Sequence, residues 1–364
     1  MMELSNGHKL QDGKYRIEKK IGQGGFGITY LARWYHKVQG AVGAANIYST
    51  VVIKEFFWSK YCNRDTDGYT VSISSTEGKE MMAQFKEKLK KEGNIISRLS
   101  HPNIVGILAI FEENNTAYLV MQYIEGESLK DKIERLGKIE EAAALKYTQQ
   151  LCSALTEIHS KRILHLDIKP SNVLIDEDNN LQLIDFGISK QYDETAHETS
   201  DTPLGMSAGY SPVEQYGTLK AFSPPTDIYA AGATLYKMLT GETPMEATSR
   251  NQFDLEPVTR FNPNISMRTA EAITKAMSEK IRDRFQTADE FWQALKKDNI
   301  LPRNRQKDDN TVIDAPQTEK TKTIPDETKI EKPPLNPLNP LNPLINFPKS
   351  QPIPPSNKAF SKKV

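Results

Sequence analysis

Cysteine is scarce in this 364-residue sequence. Cys62 and Cys152 stand far apart, and neither belongs to a Cys-x-x-Cys pair. A disulfide framework or a zinc ribbon therefore has no support, and a reducing compartment is the expectation. Charge of one sign is lacking as well: Lys plus Arg and Asp plus Glu both number 47, so nothing argues for a polyanion binder. No apolar run approaches the ~18 residues of a membrane span. The opening residues, MMELSNGHKLQDGK, hold no apolar signal-peptide core, and a cytoplasmic location is expected. Aromatics make up 8% and hydrophobic residues 38%, low for a globular chain. The shortfall is concentrated at one end. Residues 303–364 hold 11 of the 21 prolines, only Phe347 and Phe360 as aromatics, and 11 basic against 7 acidic side chains. That composition predicts a disordered Pro/Lys/Asn-rich tail. Within it, Leu335–Leu344 repeats Leu-Asn-Pro three times, as a polyproline-like segment would.

The rest of the chain changes character midway. Tyr15–Ile21, Phe26–Arg33 and Val51–Phe56 are rich in β-branched and aromatic residues and read as strands. Between the last two lies WYHKVQGAVGAANIYST, expected to be a long Gly-containing connection. Phe85, Leu89, Glu92, Ile96 and Leu99 step by four, three, four and three, predicting one face of a helix over Lys79–Leu99. Strands follow at Ile107–Glu112 and Ala117–Gln122, with Glu-Asn-Asn as their turn. Beyond them helices fit Glu140–His159, Thr226–Thr240, Thr269–Met277 and Ala288–Leu295. A β-rich piece followed by a helix-rich piece argues for α+β with two lobes.

Chemistry-bearing residues fall in a fixed order along these elements. Gly22-Gln23-Gly24-Gly25-Phe26-Gly27 is a G-x-G-x-x-G, but strand-like Ile28–Leu31 follows it where a dinucleotide site needs a helix. Strand, glycine loop and strand make a flap whose backbone N–H groups can close over phosphates. Lys54 ends the apolar strand Val51-Val52-Ile53, and Glu92 lies on an apolar helix face where a lone carboxylate is costly. A Lys54–Glu92 pair would answer both. His165-Leu166-Asp167-Ile168-Lys169-Pro170-Ser171-Asn172 comes next, followed by two short apolar runs and Asp185-Phe186-Gly187.

With these motifs in this order the sequence resembles the eukaryotic-like serine/threonine protein kinases of bacterial type, over about residues 15–300. The resemblance implies a two-lobed kinase fold, with an N-lobe of about 15–122 and a C-lobe of about 123–300. It implies ATP and Mg²⁺ as cofactors and protein Ser/Thr hydroxyls as acceptors. Asp167 would take the acceptor's proton and Lys169 would bind the γ-phosphate, while Asn172 and Asp185 would hold Mg²⁺. Ile21, Gly22, Gly24, Gly27, Thr29, Val52, Lys54, Glu92, Met121, Gln122 and Tyr123 would surround the nucleotide. Glu214 would pair with Arg284, Asp227 would brace the catalytic loop, and Ser207 would stand where the family usually has a Thr. Thr29, Val52, Val213 and Leu166 depart from the family's usual valine, alanine, proline and arginine. Two other readings remain open: a catalytically inactive kinase-fold scaffold, and a small-molecule phosphotransferase. In the tail, Thr311, Thr323 and Thr328 each precede an acid by three positions, a spacing that suits phosphothreonine-reading modules as partners.

Overall fold

The computed structural model describes residues 3–24, 27–40, 43–80, 82–84, 86, 97–185, 190–191, 206–217, 222–250 and 252–296. The chain divides into two units, Met1–Ile300 and Leu301–Val364. The second, with the tail expected to be disordered, lies outside the described residues.

The first lobe is a six-stranded antiparallel sheet. Its strands are β1 (Lys9–Leu10), β2 (Tyr15–Gly24), β3 (Gly27–Gly40), β4 (Gly43–Phe56), β7 (Ile107–Glu113) and β8 (Thr116–Gln122), in the order β1-β2-β3-β4-β8-β7. A separate hairpin, β5 (Cys62–Arg64) and β6 (Val71–Ile73), follows β4. Alternation along β4 puts Val51 and Ile53 into a core beneath Leu4, Leu10, Cys62 and Val71. Its other face turns to the second lobe. The β7–β8 turn carries Asn114 and Asn115 at φ 51° and 59°, the positive pair that a two-residue hairpin turn requires.

Two expectations fail here. The stretch 34–50 is no loose connection, because β3 and β4 stay paired from Trp34↔Ser49 out to Gly40↔Gly43. Cross-strand contacts explain it: Tyr35 lies against Tyr48, and the Arg33 guanidinium sits over the Tyr48 ring. The helix expected over Lys79–Leu99 begins earlier, with helical backbone already at residue 76. Ser75 caps that start by accepting the Gly78 N–H on its hydroxyl. Leu99 is buried but not helical. Positions 87–96, Glu92 among them, lie outside the described residues.

The second lobe is helical, built from α1 (Leu129–Leu136), α2 (Glu141–Ser160), α3 (Pro224–Thr240), α4 (Val258–Phe261), α5 (Met267–Ala276) and α6 (Ala288–Leu295). Composition alone does not single out α1, which Ser128 caps. Helix α3 is buried along nearly its whole length; Ser223 and Thr226 form a capping box at its start, and Gly241 ends it at φ 78°. Between the lobes run the short strands β9 (Gly126–Ser128), β10 (Ile163–Leu164), β11 (Val173–Asp176), β12 (Leu181–Leu183) and β13 (Lys190–Gln191). Of these, β12-β11-β9 form one small sheet and β10-β13 another. The loops flanking β10, β11 and β12 carry the polar residues singled out by sequence.

Candidate active site

A cleft of about 680 Å³ opens between β2–β4 above and the loops around β10–β12 below. Ile21, Gly22, Gly24, Gly27, Thr29 and Lys54 line it from above, and Asp167, Lys169, Asn172, Asp185 and Ser207 from below. Phe56, Ser171, Ile184 and Met206 also line it, and sequence reasoning did not single them out.

The glycine loop is a hairpin, with Gly24 opposite Gly27 and β3 following directly. Gly27 is there for close packing: a Cβ at this position would come within 2.4 Å of the Glu55 carbonyl on β4. Gly24 faces open space.

Asp167 sits at the floor of the cleft. Its Oδ2 accepts from Lys169 Nζ at 2.9 Å and from Asn172 Nδ2 at 2.8 Å, and its Oδ1 accepts from the Ser207 hydroxyl at 2.7 Å. Lys169 also donates to Ser207 Oγ at 2.9 Å. These four side chains form a closed polar ring in which the acid is held by three donors. Across from them the Lys54 ammonium pairs with the Asp185 carboxylate. Glu92, the partner expected for Lys54, lies outside the described residues.

Two backbone outliers frame the floor: Leu166 and Asp185 adopt φ 64° and 65°. Non-glycine residues in this region carry strain and need support from their surroundings. At Leu166 the support comes from Asp227, fully buried at the start of α3. Its carboxylate accepts the Leu166 N–H at 2.8 Å and the His165 N–H at 2.9 Å, and meets His159 Nε2 at 2.8 Å. Burial alone would raise the Asp227 carboxyl; the His159 contact, the nearby His165 and the Leu166 N–H outweigh it and hold it below its ordinary value. The Gln215 amide donates to the Leu166 carbonyl at 2.9 Å. The Leu166 side chain is buried with Leu164 and Phe222. Glu214 and Arg284 meet through two parallel contacts of 2.6 and 3.0 Å, with Arg284 buried.

Val52, Met121, Gln122 and Tyr123 are not among the residues lining this cleft. Val52 pairs with Met121, two positions along β4 from Lys54 and so roughly 7 Å away on the same face. Met121 is packed in the main core, and the Gln122 N–H is spent on the Gly106 carbonyl at 2.8 Å. His159 and Gln215 were missed by sequence reasoning. A histidine near a helix end and a glutamine after a glutamate carry no signal until the chain folds.

The protein kinase domain family model matches residues 59–307. The chain belongs to the protein kinase family. That match begins after the glycine loop and Lys54, yet β2, β3 and β4 belong to the same sheet as β7 and β8 inside it. The chain is 32% identical to the serine/threonine-protein kinase PrkC of Bacillus subtilis over 79% of its own length and 41% of that protein. It is 28% identical to a probable serine/threonine-protein kinase of Clostridium perfringens over 85% of its length and 41% of that one. It thus spans about two fifths of the curated relatives it matches. Among solved structures, PpkA-294 in its apo form matches with TM-score 0.66 at 28% identity, covering 81% of this chain and all of that one. The kinase family uses ATP with a divalent metal ion. Among the described residues no helix is long and apolar enough to cross a membrane.

Proposed function

We propose that this chain transfers the γ-phosphate of ATP to serine and threonine hydroxyls of proteins, its own included, through a domain of about residues 15–300. The observation that carries this reading is the Asp167 carboxylate, held by Lys169, Asn172 and Ser207 beneath a glycine hairpin and facing the Lys54–Asp185 pair. Oδ1 of Asp167 accepts one hydrogen bond and keeps acceptor capacity for the proton of an incoming hydroxyl. Lys169 commits two donors to Asp167 and Ser207, and its third can meet the γ-phosphate as charge develops.

The site fits Mg²⁺ by its donor set. Asn172 turns its amide nitrogen to Asp167 and offers Oδ1, which accepts only a long 3.5 Å contact from the Ser171 hydroxyl, and Asp185 adds a carboxylate. Two protein oxygens completed by phosphates and water suit Mg²⁺, and the described residues hold no cluster of three or more His, Cys, Asp or Glu that would act as a closed cage. When bound, MgATP supplies the transferred group and the cation that neutralises its oxygens. The residues of the chain orient it: Ile21, Gly22, Gly24, Gly27 and Thr29 from the flap, Lys54 at the phosphates, and Val52, Met121, Gln122 and Tyr123 towards the base. Two free, buried cysteines support a reducing, cytoplasmic setting. Thr311, Thr323 and Thr328 are proposed as docking sites for phosphothreonine-reading partners.

Incubation with labelled ATP and a generic protein acceptor, beside an Asp167→Asn control, tests the reading. Label on protein from wild type alone supports it. Nucleotide binding without transfer would indicate a scaffold, and label only on small acceptors a small-molecule phosphotransferase.

A further inference from the structure

Glu55, the residue after Lys54, has no part in the cleft and is fully buried. Successive strand residues point to opposite faces, so with Lys54 turned into the cleft Glu55 enters the outer core of the first lobe. Its carboxylate is saturated there. The Tyr30 and Tyr118 hydroxyls donate to it at 3.0 and 2.9 Å, Arg64 Nη1 donates at 2.8 Å, and Arg64 Nη2 closes the second arm of a fork. The Arg64 side chain is only 4% exposed and comes from β5, in the excursion that joins the lysine strand to the helix starting at residue 76. It also donates to the Tyr69 carbonyl at 2.7 Å and lies 4.9 Å over the Phe57 ring. Tyr30 in turn accepts the Leu4 N–H at 3.0 Å. The N-terminal segment, β3, β4, β5 and β8 are thereby tied to one carboxylate.

We propose that Glu55 and Arg64 are positioning residues for Lys54. A buried ion pair is a poor way to gain stability, since apolar residues of similar volume commonly do as well or better. It is a good way to fix geometry, because the fork is satisfied in one arrangement only. On a strand, fixing one residue fixes its neighbour: a one-residue slip of β4 would exchange the faces of Lys54 and Glu55. Gly27 reports the same tight setting, with no room between its Cα and the Glu55 carbonyl. The ammonium of Lys54 must meet phosphate oxygens within a fraction of an ångström to be useful. The anchor on the far side of the sheet holds it there.

The inference rests on the proposed kinase activity, and the two can fail separately. The test compares the full-length chain with Glu55→Met/Arg64→Met, which removes both charges together, measuring kcat, KM for ATP, KM for a protein acceptor and Tm. The expected result is a folded protein with a Tm lowered by the two tyrosine hydroxyls left without an acceptor, a loss of about tenfold or more in kcat/KM for ATP, and an acceptor KM within about twofold. Wild-type kcat/KM for ATP in the folded double variant would overturn the proposal. So would losses shared equally by ATP and acceptor and tracking a fallen Tm, which would mark a purely structural pair. Should the double variant fail to fold, Arg64→Lys decides: it keeps the charge and gives up the fork. It is expected to lose about threefold or more towards ATP alone, and wild-type ATP kinetics there would overturn the positioning role. A wild type that transfers no phosphate overturns the kinase reading instead.

Discussion

The proposed activity gives each cleft residue a separable chemical duty. Asp185→Ala removes a proposed metal oxygen and the partner of Lys54, so both nucleotide affinity and turnover should fall. Asp167→Asn keeps the volume but cannot take a proton, so turnover should fall about 10²-fold or more with ATP affinity little changed. ATP titration and initial rates on the two variants check this contrast. Leu166 makes a different point. In kinases with arginine there, an activation-loop phosphate neutralises the guanidinium. Here an uncharged side chain is buried with Leu164 and Phe222, and the strained backbone is held by Asp227 and Gln215. The loop threonines and serine at 195, 199, 200 and 202 lie outside the described residues. Replacing all four with alanine, with phosphatase treatment, should leave turnover within about tenfold of untreated wild type and level with treated wild type, tenfold being about 1.4 kcal/mol of barrier. A larger loss would show that a loop phosphate controls the enzyme despite Leu166.

At the level of elements, the glycine hairpin separates packing from ligand approach. A methyl group at Gly27 collides with the β4 backbone, whereas one at Gly24 meets nothing within 4 Å. Gly27→Ala should therefore lower Tm and disturb Lys54 together. Gly24→Ala should leave Tm unchanged and raise KM for ATP, because only a bound nucleotide would feel the added methyl. Thermal melts alongside ATP-dependent rates check the pair, and equal effects of the two substitutions would contradict this division. Helix α3 shows the same economy, since one carboxylate, Asp227, serves its N-terminal turn and the catalytic loop at once.

Across the whole molecule, two histidines tie stability to pH. Burial pushes the His8 imidazole below its ordinary value, with Glu113 and Glu55 opposing; its Nε2 has no hydrogen-bond partner among the described residues, and its ring lies 5.2 Å from Tyr69. His101 is lowered by burial as well, and its Nδ1 accepts the Asn103 N–H, which a protonated ring cannot do. The sign follows: the unfolded chain takes up these protons near pH 6.5 and the folded one resists, so stability should decline as pH falls below about 6.5. Melts from pH 8 to 5.5 should show a falling Tm, flattened in His8→Gln/His101→Asn. The tail offers a separate test. Mass spectrometry after incubation with ATP should find phosphate on Thr311, Thr323 or Thr328, and an unmodified tail would remove the docking proposal.

The motifs around Asp167 and Asp185 were legible in the sequence because they place particular polar side chains at fixed local spacing, and local spacing survives without a fold. Most strands and helices were legible for the same reason: Val51–Phe56 and Ala288–Leu295 carry their periods in a few consecutive residues. The long β3–β4 hairpin was not, because its strength lies in cross-strand contacts such as Arg33 over Tyr48 that no single strand displays. The partners of Leu166 and the burial of Glu55 were beyond reach too. His159, Asp227 and Gln215 converge on one loop from sites up to 68 residues apart, and Arg64 finds Glu55 from a separate hairpin. Which residues could do the chemistry was set by local sequence. Which ones meet, and how tightly each is held, depended on tertiary packing, because burial and hydrogen bonding between distant segments exist only once the chain has closed on itself.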